Sequence, residues 1–281
     1  MTIAVTAVSG QLGGEIAKAV VAMDSAEAIV GLARTPEKAK GLGIEIRPGD
    51  YDDRDRLRAS LVGVETVLLV SGMAAPEDRI GQHRNVIEAA KDAGVTKIVY
   101  TSVQGADEGT SFSPIVRSNR QTEADIRASG LDWAIGRNGI YIEPDLDYID
   151  HYKTAGEIAN SAGDGRCGYT TRGELGYAYA RMLMGSEHNS RTYLLHGETL
   201  TQADLAAHLN RAFGTELTYR AMSVEAYKAE RIGELGDFLG TVVAGIYQGI
   251  REGAFDAPSD FARAAGRPHQ SWDDYFRAIK G

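Results

Sequence analysis

Residues 2–21 read TIAVTAVSGQLGGEIAKAVV, and the fold turns on how this stretch is understood. The apolar run Thr2–Val8 predicts a strand buried on both faces, as in a parallel sheet covered by helices on each side. An amphipathic pattern over Leu12–Met23 predicts the helix that follows. Between them lies Thr6-Ala7-Val8-Ser9-Gly10-Gln11-Leu12-Gly13-Gly14. A strand, a glycine turn and a helix in that order suit the diphosphate of a dinucleotide. The backbone must turn sharply, the phosphates must approach it closely, and the helix must pack tightly on the sheet. The helix N-terminus then offers free N–H groups and the positive end of its dipole. Gly10 and Gly13 stand three apart as in a GxxGxxG loop, with Ala7 where the first glycine is expected.

Working outward, strands are predicted at Ala28–Ala33, Ile44–Arg47, Thr66–Val70, Lys97–Thr101 and Asp132–Arg137. Helices are predicted at Pro36–Lys40, Arg54–Leu61, Ile80–Asp92 and Ile115–Ser129. Thr35-Pro36 and Ser113-Pro114 each place a capping hydroxyl before a proline at the first helical position. Six strand–helix alternations predict an α/β, Rossmann-type doubly wound parallel sheet over residues 1–137. After Arg137 the alternation stops. Residues 138–164 read as loop-rich, with a turn at Gly163-Asp164-Gly165. Further on come a helix at Arg172–Met184, a strand at Arg191–His196, and a capping box at Thr201–Asp204 opening the helix Leu205–Phe213. A strand at Leu217–Met222 and helices at Val224–Leu235 and Phe238–Arg251 follow, and Ser271-Trp-Asp-Asp274 opens the last helix. These strands are too few for a second complete βαβ domain. Residues 138–281 therefore read as a smaller α+β lobe at the carboxyl edge of the sheet, with elements crossing between lobes.

Composition narrows the function. With 30 Lys+Arg against 39 Asp+Glu, the formal charge is −9, and no basic run is present, so nucleic acid is not an expected partner. A single cysteine, Cys167, excludes an internal disulfide and a multi-cysteine metal cluster, and no His/Asp/Glu grouping has metal-ligand spacing. No apolar stretch nears the roughly 18 residues of a membrane span. The N-terminus lacks a basic leader, and a cytoplasmic protein is expected.

The second strand chooses between dinucleotides. An NAD site places Asp or Glu about 20 residues past the glycine loop to bind the ribose 2′-hydroxyl. Here the strand ends Gly31-Leu-Ala-Arg34-Thr35, without a carboxylate, and Arg34 offers a planar cation suited to a 2′-phosphate. NADPH is the expected cofactor. The third strand ends Gly49-Asp50-Tyr51, whose side chains either flank an adenine or, for Asp50, cap the next helix.

Taken together these residues resemble the NmrA-like branch of the atypical short-chain dehydrogenase/reductases, in the group of bacterial NAD(P)H:quinone oxidoreductases and triphenylmethane reductases. The resemblance runs through VTAVSGQLGG, LART, RPGDYDD, Gln82–Ala90, Val99–Ser102, Gly136–Tyr141 and AGDGRCGYTTRGELGYA, nearly the whole chain. It implies that Val8, Ser9, Gly10, Gln11 and Leu12 hold the diphosphate and Arg34 the adenosine phosphate. It sets Ser71, Gly72 and Met73 beside the ribose, and Thr101, Ser102 and the run Asn138 to Glu143, with Gly139 and Tyr141, toward the nicotinamide. Members of this group are also often homodimers.

One departure bears on mechanism. Many short-chain dehydrogenases carry a Tyr-x-x-x-Lys pair on the fifth helix, where lysine lowers the tyrosine pKa. Here Ile115 and Asn119 occupy those places, and Ile115–Ser129 contains neither Tyr nor Lys. Ordinary ketone chemistry by that pair is therefore not expected. Quinones and cationic triarylmethane dyes accept hydride readily without it. Tyr141 is the candidate proton donor, with Asn138 hydrogen-bonding the acceptor or the carboxamide. His83, at helical spacing from Ile80, Ile87 and Ala90, reads as a packing residue. The alternative to a reductase of a small-molecule acceptor is an NADP(H)-binding redox sensor that does not turn over.

Overall fold

The computed structural model describes residues 1–23 and 28–279. Its strands are β1 Thr2–Val5, β2 Ala28–Ala33, β3 Glu45–Pro48, β4 Thr66–Val70, β5 Lys97–Val103, β6 Asp132–Asn138, β7 Ile140–Tyr141, β8 Glu157–Asn160, β9 Cys167–Thr170, β10 Arg191–Leu195, β11 Thr199–Leu200 and β12 Thr218–Ala221. The helices are α1 Gln11–Met23, α2 Arg54–Ser60, α3 Pro76–Asp92, α4 Ser113–Ala128, α5 Glu143–Asp147, α6 Ile149–Ala155, α7 Arg172–Met184, α8 Gln202–Phe213, α9 Val224–Leu235, α10 Asp237–Arg251, α11 Phe261–Ala265 and α12 Trp272–Ile279. Seven strands form one parallel sheet in the order β10-β6-β5-β4-β1-β2-β3. The order reverses between β1 and β4, the switch point beside which doubly wound sheets bind ligands.

Both faces of the sheet are covered, which explains why β1 and β4 are apolar without alternation. One core packs α1, α7 and α11 over Ile3, Val5, Leu68 and Val99. The other packs Leu57 of α2 and Val86 and Ile87 of α3 against Ala4, Leu69 and Tyr100. A third core holds the second lobe together, from Phe112 and Ile142 to Trp272 and Phe276. The chain crosses between these units. Helix α7, strand β10 and helix α11 lie beyond residue 137, yet β10 pairs with β6 over five residues and α7 packs on α1. Lys97 locks this crossover from the sheet side: its buried ammonium donates to the Met182 and Gly185 carbonyls at the C-terminus of α7.

Several local expectations are corrected. The strand expected over Thr2–Val8 stops at Val5, because Ala7 takes a left-handed conformation (φ 51°) that starts the glycine turn. Pro36–Leu42 is a 3₁₀ helix, and Thr35 makes no side-chain cap to it. Ser113 does not cap α4 either; its Oγ accepts the Thr110 N–H and closes the preceding turn. Helix α2 is capped by Asp53 through the Arg56 N–H, not by Asp50. The stretch expected to be loop-rich contains β7, α5, α6 and β8, and β11 had no prediction. The capping box Thr201–Asp204 forms as expected.

The turn after β1 depends on close approach. The Gly10 N–H donates to the Ala7 carbonyl at 2.9 Å, and a Cβ on Gly13 would lie 2.4 Å from that same oxygen. A left-handed alanine costs about 1 kcal/mol relative to glycine. Ala7→Gly is therefore expected to raise unfolding stability by about 1 kcal/mol, read as a higher urea midpoint at unchanged slope.

Candidate functional site

The glycine turn opens onto a groove of about 550 Å³ lined by Val8, Ser9, Gly10, Gln11, Lys38 and, from beyond residue 137, Glu143 and Arg172. Ser9, Gly10 and Gln11 are exposed at its floor. Leu12 packs into the core and presents only its backbone at the start of α1. Arg34 stands exposed at the end of β2, just outside this lining and without an ion pair among the described residues, while Lys38 lines the groove. Open backbone at a helix N-terminus with cations beside it fits a dinucleotide bearing a 2′-phosphate. The sequence reading missed Lys38 and Arg172. The second lies past residue 138, where alternation gave no positional guide.

Beneath the groove a buried triad fixes the switch point. The hydroxyl of Tyr51 lies 2.5 Å from Thr6 Oγ1 and donates to the Val70 carbonyl, while the Val70 N–H donates to Thr6 Oγ1. Burial pushes the Tyr51 phenol well up, against the hydrogen bond from Thr6. Tyr51 thus ties β1 to β4, and its hydroxyl is not available to an adenine. Asp50 accepts the Asp52 N–H and shapes the loop before α2.

The loop after β4 is tethered residue by residue. The Ser71 N–H donates to Thr101 Oγ1, and Ser71 Oγ donates to Asn119 Oδ1. The Gly72 N–H donates to His83 Nε2, and His83 Nδ1 lies 2.9 Å from Thr122 Oγ1, which donates to the Ser118 carbonyl. This chain of donors requires neutral His83 with its proton on Nδ1. Burial, helped by the charge of Arg79, lowers its pKa to about 3. Met73, between the tethers, is 82% exposed.

Thr101 and Ser102, expected side by side, part company because successive strand residues face opposite ways. Thr101 holds the Ser71 loop, whereas Ser102 Oγ donates to Glu123 on α4. Glu123 is fully buried and gathers Arg120, Arg127 and Arg137. Burial opposes its charge, yet hydrogen bonds from Arg137 and Ser102 hold its pKa down at about 2. Ser102 therefore belongs to a structural network tying β5 and β6 to α4.

At the end of β6 the geometry converges. Asn138 is 4% exposed, and its Oδ1 accepts the Tyr179 hydroxyl at 2.6 Å. The Tyr179 hydroxyl also lies 2.9 Å from the Gly136 carbonyl; with Oδ1 toward Tyr179, Nδ2 donates to the Tyr141 hydroxyl oxygen at 3.4 Å. Burial raises the Tyr141 pKa, while the Asn138 hydrogen bond and the Arg172 charge pull against it. The Arg172 guanidinium lies 5.3 Å from the Tyr141 ring centre, and its backbone N–H donates to Glu143 Oε1. Gly139 is packed against β9, where a Cβ would lie 2.1 Å from the Gly168 carbonyl. Asn119, at the lysine place of the absent pair, is uncharged and fully engaged with Tyr100, Ser71 and Ile115. Cys167 is buried, and burial pushes its thiol well up, away from nucleophilic use. No three side chains among the described residues form a metal site.

Such a sheet, with its glycine turn at the switch point and cations along the groove, defines a dinucleotide-binding protein. The chain belongs to the NAD(P)H-binding family, whose model matches residues 8–162. It is 36% identical over 275 residues to quinone oxidoreductase 2 of Escherichia coli, covering 95% of this chain and 94% of that protein. Among solved structures, an NADPH-dependent quinone oxidoreductase from Escherichia coli, complexed with NADPH, superposes with a TM-score of 0.91 at 31% identity over both whole chains. The Citrobacter triphenylmethane reductase also gives 0.91, at 30% identity, again over both whole chains. No helix among the described residues is long and apolar enough to cross a membrane.

Stability should fall in acid through two separate groups. Both His83 and Glu123 have folded pKa values below their unfolded ones, so each contributes stability that is lost as pH drops. His83 acts between about pH 6.5 and 3, and Glu123 between about 4.5 and 2. His83→Gln is expected to remove about 1.4 kcal/mol per pH unit from the slope of unfolding free energy between pH 6 and 4, measured by urea denaturation.

Proposed function

We propose that this chain is an NADPH-dependent oxidoreductase that passes hydride to a quinone-like or conjugated acceptor. When bound, NADPH supplies the hydride. The reductase class is supported by the family, by the full-length relatives and by the groove. The choice of acceptor and the roles of individual residues are this proposal. The Val8–Leu12 turn holds the diphosphate, and Arg34 with Lys38 receives the 2′-phosphate. Arg172 reaches the groove from beyond residue 137. The loop Ser71–Met73 and Thr101 border the ribose, and residues 138–281 contribute the acceptor side.

The observation that carries the mechanism is the direction of the Asn138 amide. Because Tyr179 occupies Oδ1, the amide donates into the Tyr141 oxygen and leaves the Tyr141 proton free to point elsewhere. Burial keeps that phenol protonated at neutral pH, ready to give its proton to the oxygen of a reduced acceptor. The Arg172 charge beside the ring then stabilises the phenolate until solvent returns the proton. The same reading sets the protein in the cytoplasm, as a homodimer.

Purified protein is expected to oxidise NADPH in the presence of benzoquinones or naphthoquinones, followed at the nicotinamide absorbance band. Arg34→Ala should weaken NADPH binding about tenfold while leaving NADH binding nearly unchanged. Tyr141→Phe should lower kcat about a hundredfold on quinones with little change in NADPH affinity. Tight NADPH binding without turnover on any acceptor would assign the chain instead to the redox-sensor class.

A further inference from the structure

Arg79 carries a charge that no carboxylate among the described residues pairs with. It lies near the start of α3 and is 4% exposed. Its Nη2 donates to the Ala74 carbonyl at 2.9 Å, its Nη1 reaches Ser118 Oγ at 3.4 Å, and its Nε is buried without a partner. Among the described residues it forms no ion pair. Two tendencies oppose such a placement. A cation in the first turns of a helix works against the macrodipole, and a buried guanidinium without an anion is costly. The nearest titratable groups do not relieve it: His83 is neutral and Tyr100 is a buried phenol.

The neighbours of Arg79 locate its field. Ala74 belongs to the tethered loop that exposes Met73 at the carboxyl edge of the sheet. Ser118 precedes Asn119, the uncharged residue at the lysine place. We propose that Arg79 supplies from α3 the positive charge that a lysine on α4 would supply. It thereby makes the acceptor site selective for molecules that become anionic on taking hydride. This rests on the reductase reading above. A neutral quinone that gains hydride, two electrons and one proton, becomes a hydroquinone monoanion as the dihydronicotinamide is oxidised to the nicotinamide cation. A proton from Tyr141 completes the hydroquinone. A cationic triarylmethane takes the same hydride at its central carbon and ends neutral. At the acceptor position the two transition states differ by a full unit of charge, so a buried cation favours the quinone over the dye. At a separation of about 10 Å and an effective dielectric of about 20, that preference is about tenfold.

The experiment compares kcat/KM for 1,4-naphthoquinone and for a cationic triarylmethane dye in the native chain, Arg79→Gln, Arg79→Lys and Ser118→Ala. The ratio of quinone to dye is expected to fall about tenfold in Arg79→Gln. It should return in Arg79→Lys and stay unchanged in Ser118→Ala, which loses one clamp but keeps the charge. A purely structural role would slow both acceptors alike, and an unchanged ratio in Arg79→Gln overturns the proposal. A second readout needs no turnover. The visible absorbance of 2-hydroxy-1,4-naphthoquinone reports its ionisation when bound. Its midpoint should lie about one pH unit lower on the native chain than on Arg79→Gln. Coincident midpoints overturn the Arg79 assignment even if the native chain reduces quinones. Failure of the native chain to reduce any acceptor would sink the reductase reading alone, leaving the midpoints to decide Arg79.

Discussion

The close approach of α1 to the end of β1 is the constraint on which the remaining architecture rests. Gly13 lets the helix sit where any Cβ would collide with the Ala7 carbonyl, and Ala7 accepts a left-handed conformation to make that meeting possible. Helix α1 in turn supports α7, which brings the second half of the chain onto the sheet and carries Tyr179. Tyr179 then orients Asn138, and Asn138 orients Tyr141. A steric fit at the glycine turn is thus linked, through two layers of packing, to the direction of a single hydrogen bond at the end of β6.

The sheet edge also shows how little freedom the site residues have. Ser71, Gly72 and Ala74 are each held by a side chain, the first by Thr101 of β5 and the other two by His83 and Arg79 of α3. Tyr51, Thr6 and Val70 close a second set of bonds beneath them. Ordered backbone of this kind presents its groups to a ligand without paying much further entropy on binding.

The central strands, such as Thr66–Val70, were legible in the sequence because strands covered on both faces are written as plain apolar runs. The glycine turn was legible because glycine has few other reasons to stand between such a run and an amphipathic helix. The rest was hidden for identifiable reasons. Strands of two residues, such as Ile140–Tyr141 and Thr199–Leu200, are too short to show a period. Thr101 and Ser102 are chemically alike, and only the strand register sends one to the loop and the other to Glu123. Arg172 reaches the groove through tertiary packing, which no local pattern encodes. Tyr51 matched its expected place in the chain, yet its hydroxyl turned inward to the strands.

Strand β10 gives the molecule an order of assembly. Until residues 172–184 have emerged from the ribosome α1 lacks the helix that covers it, and until residues 191–195 follow the outer edge of β6 has no partner. The nucleotide half is therefore made first but completed late, and for the intervening stretch of synthesis it exposes an open strand edge of the kind that recruits other chains. Nascent chains that stall between residues 138 and 190 would be the vulnerable species, needing a chaperone more than either a shorter or a finished chain.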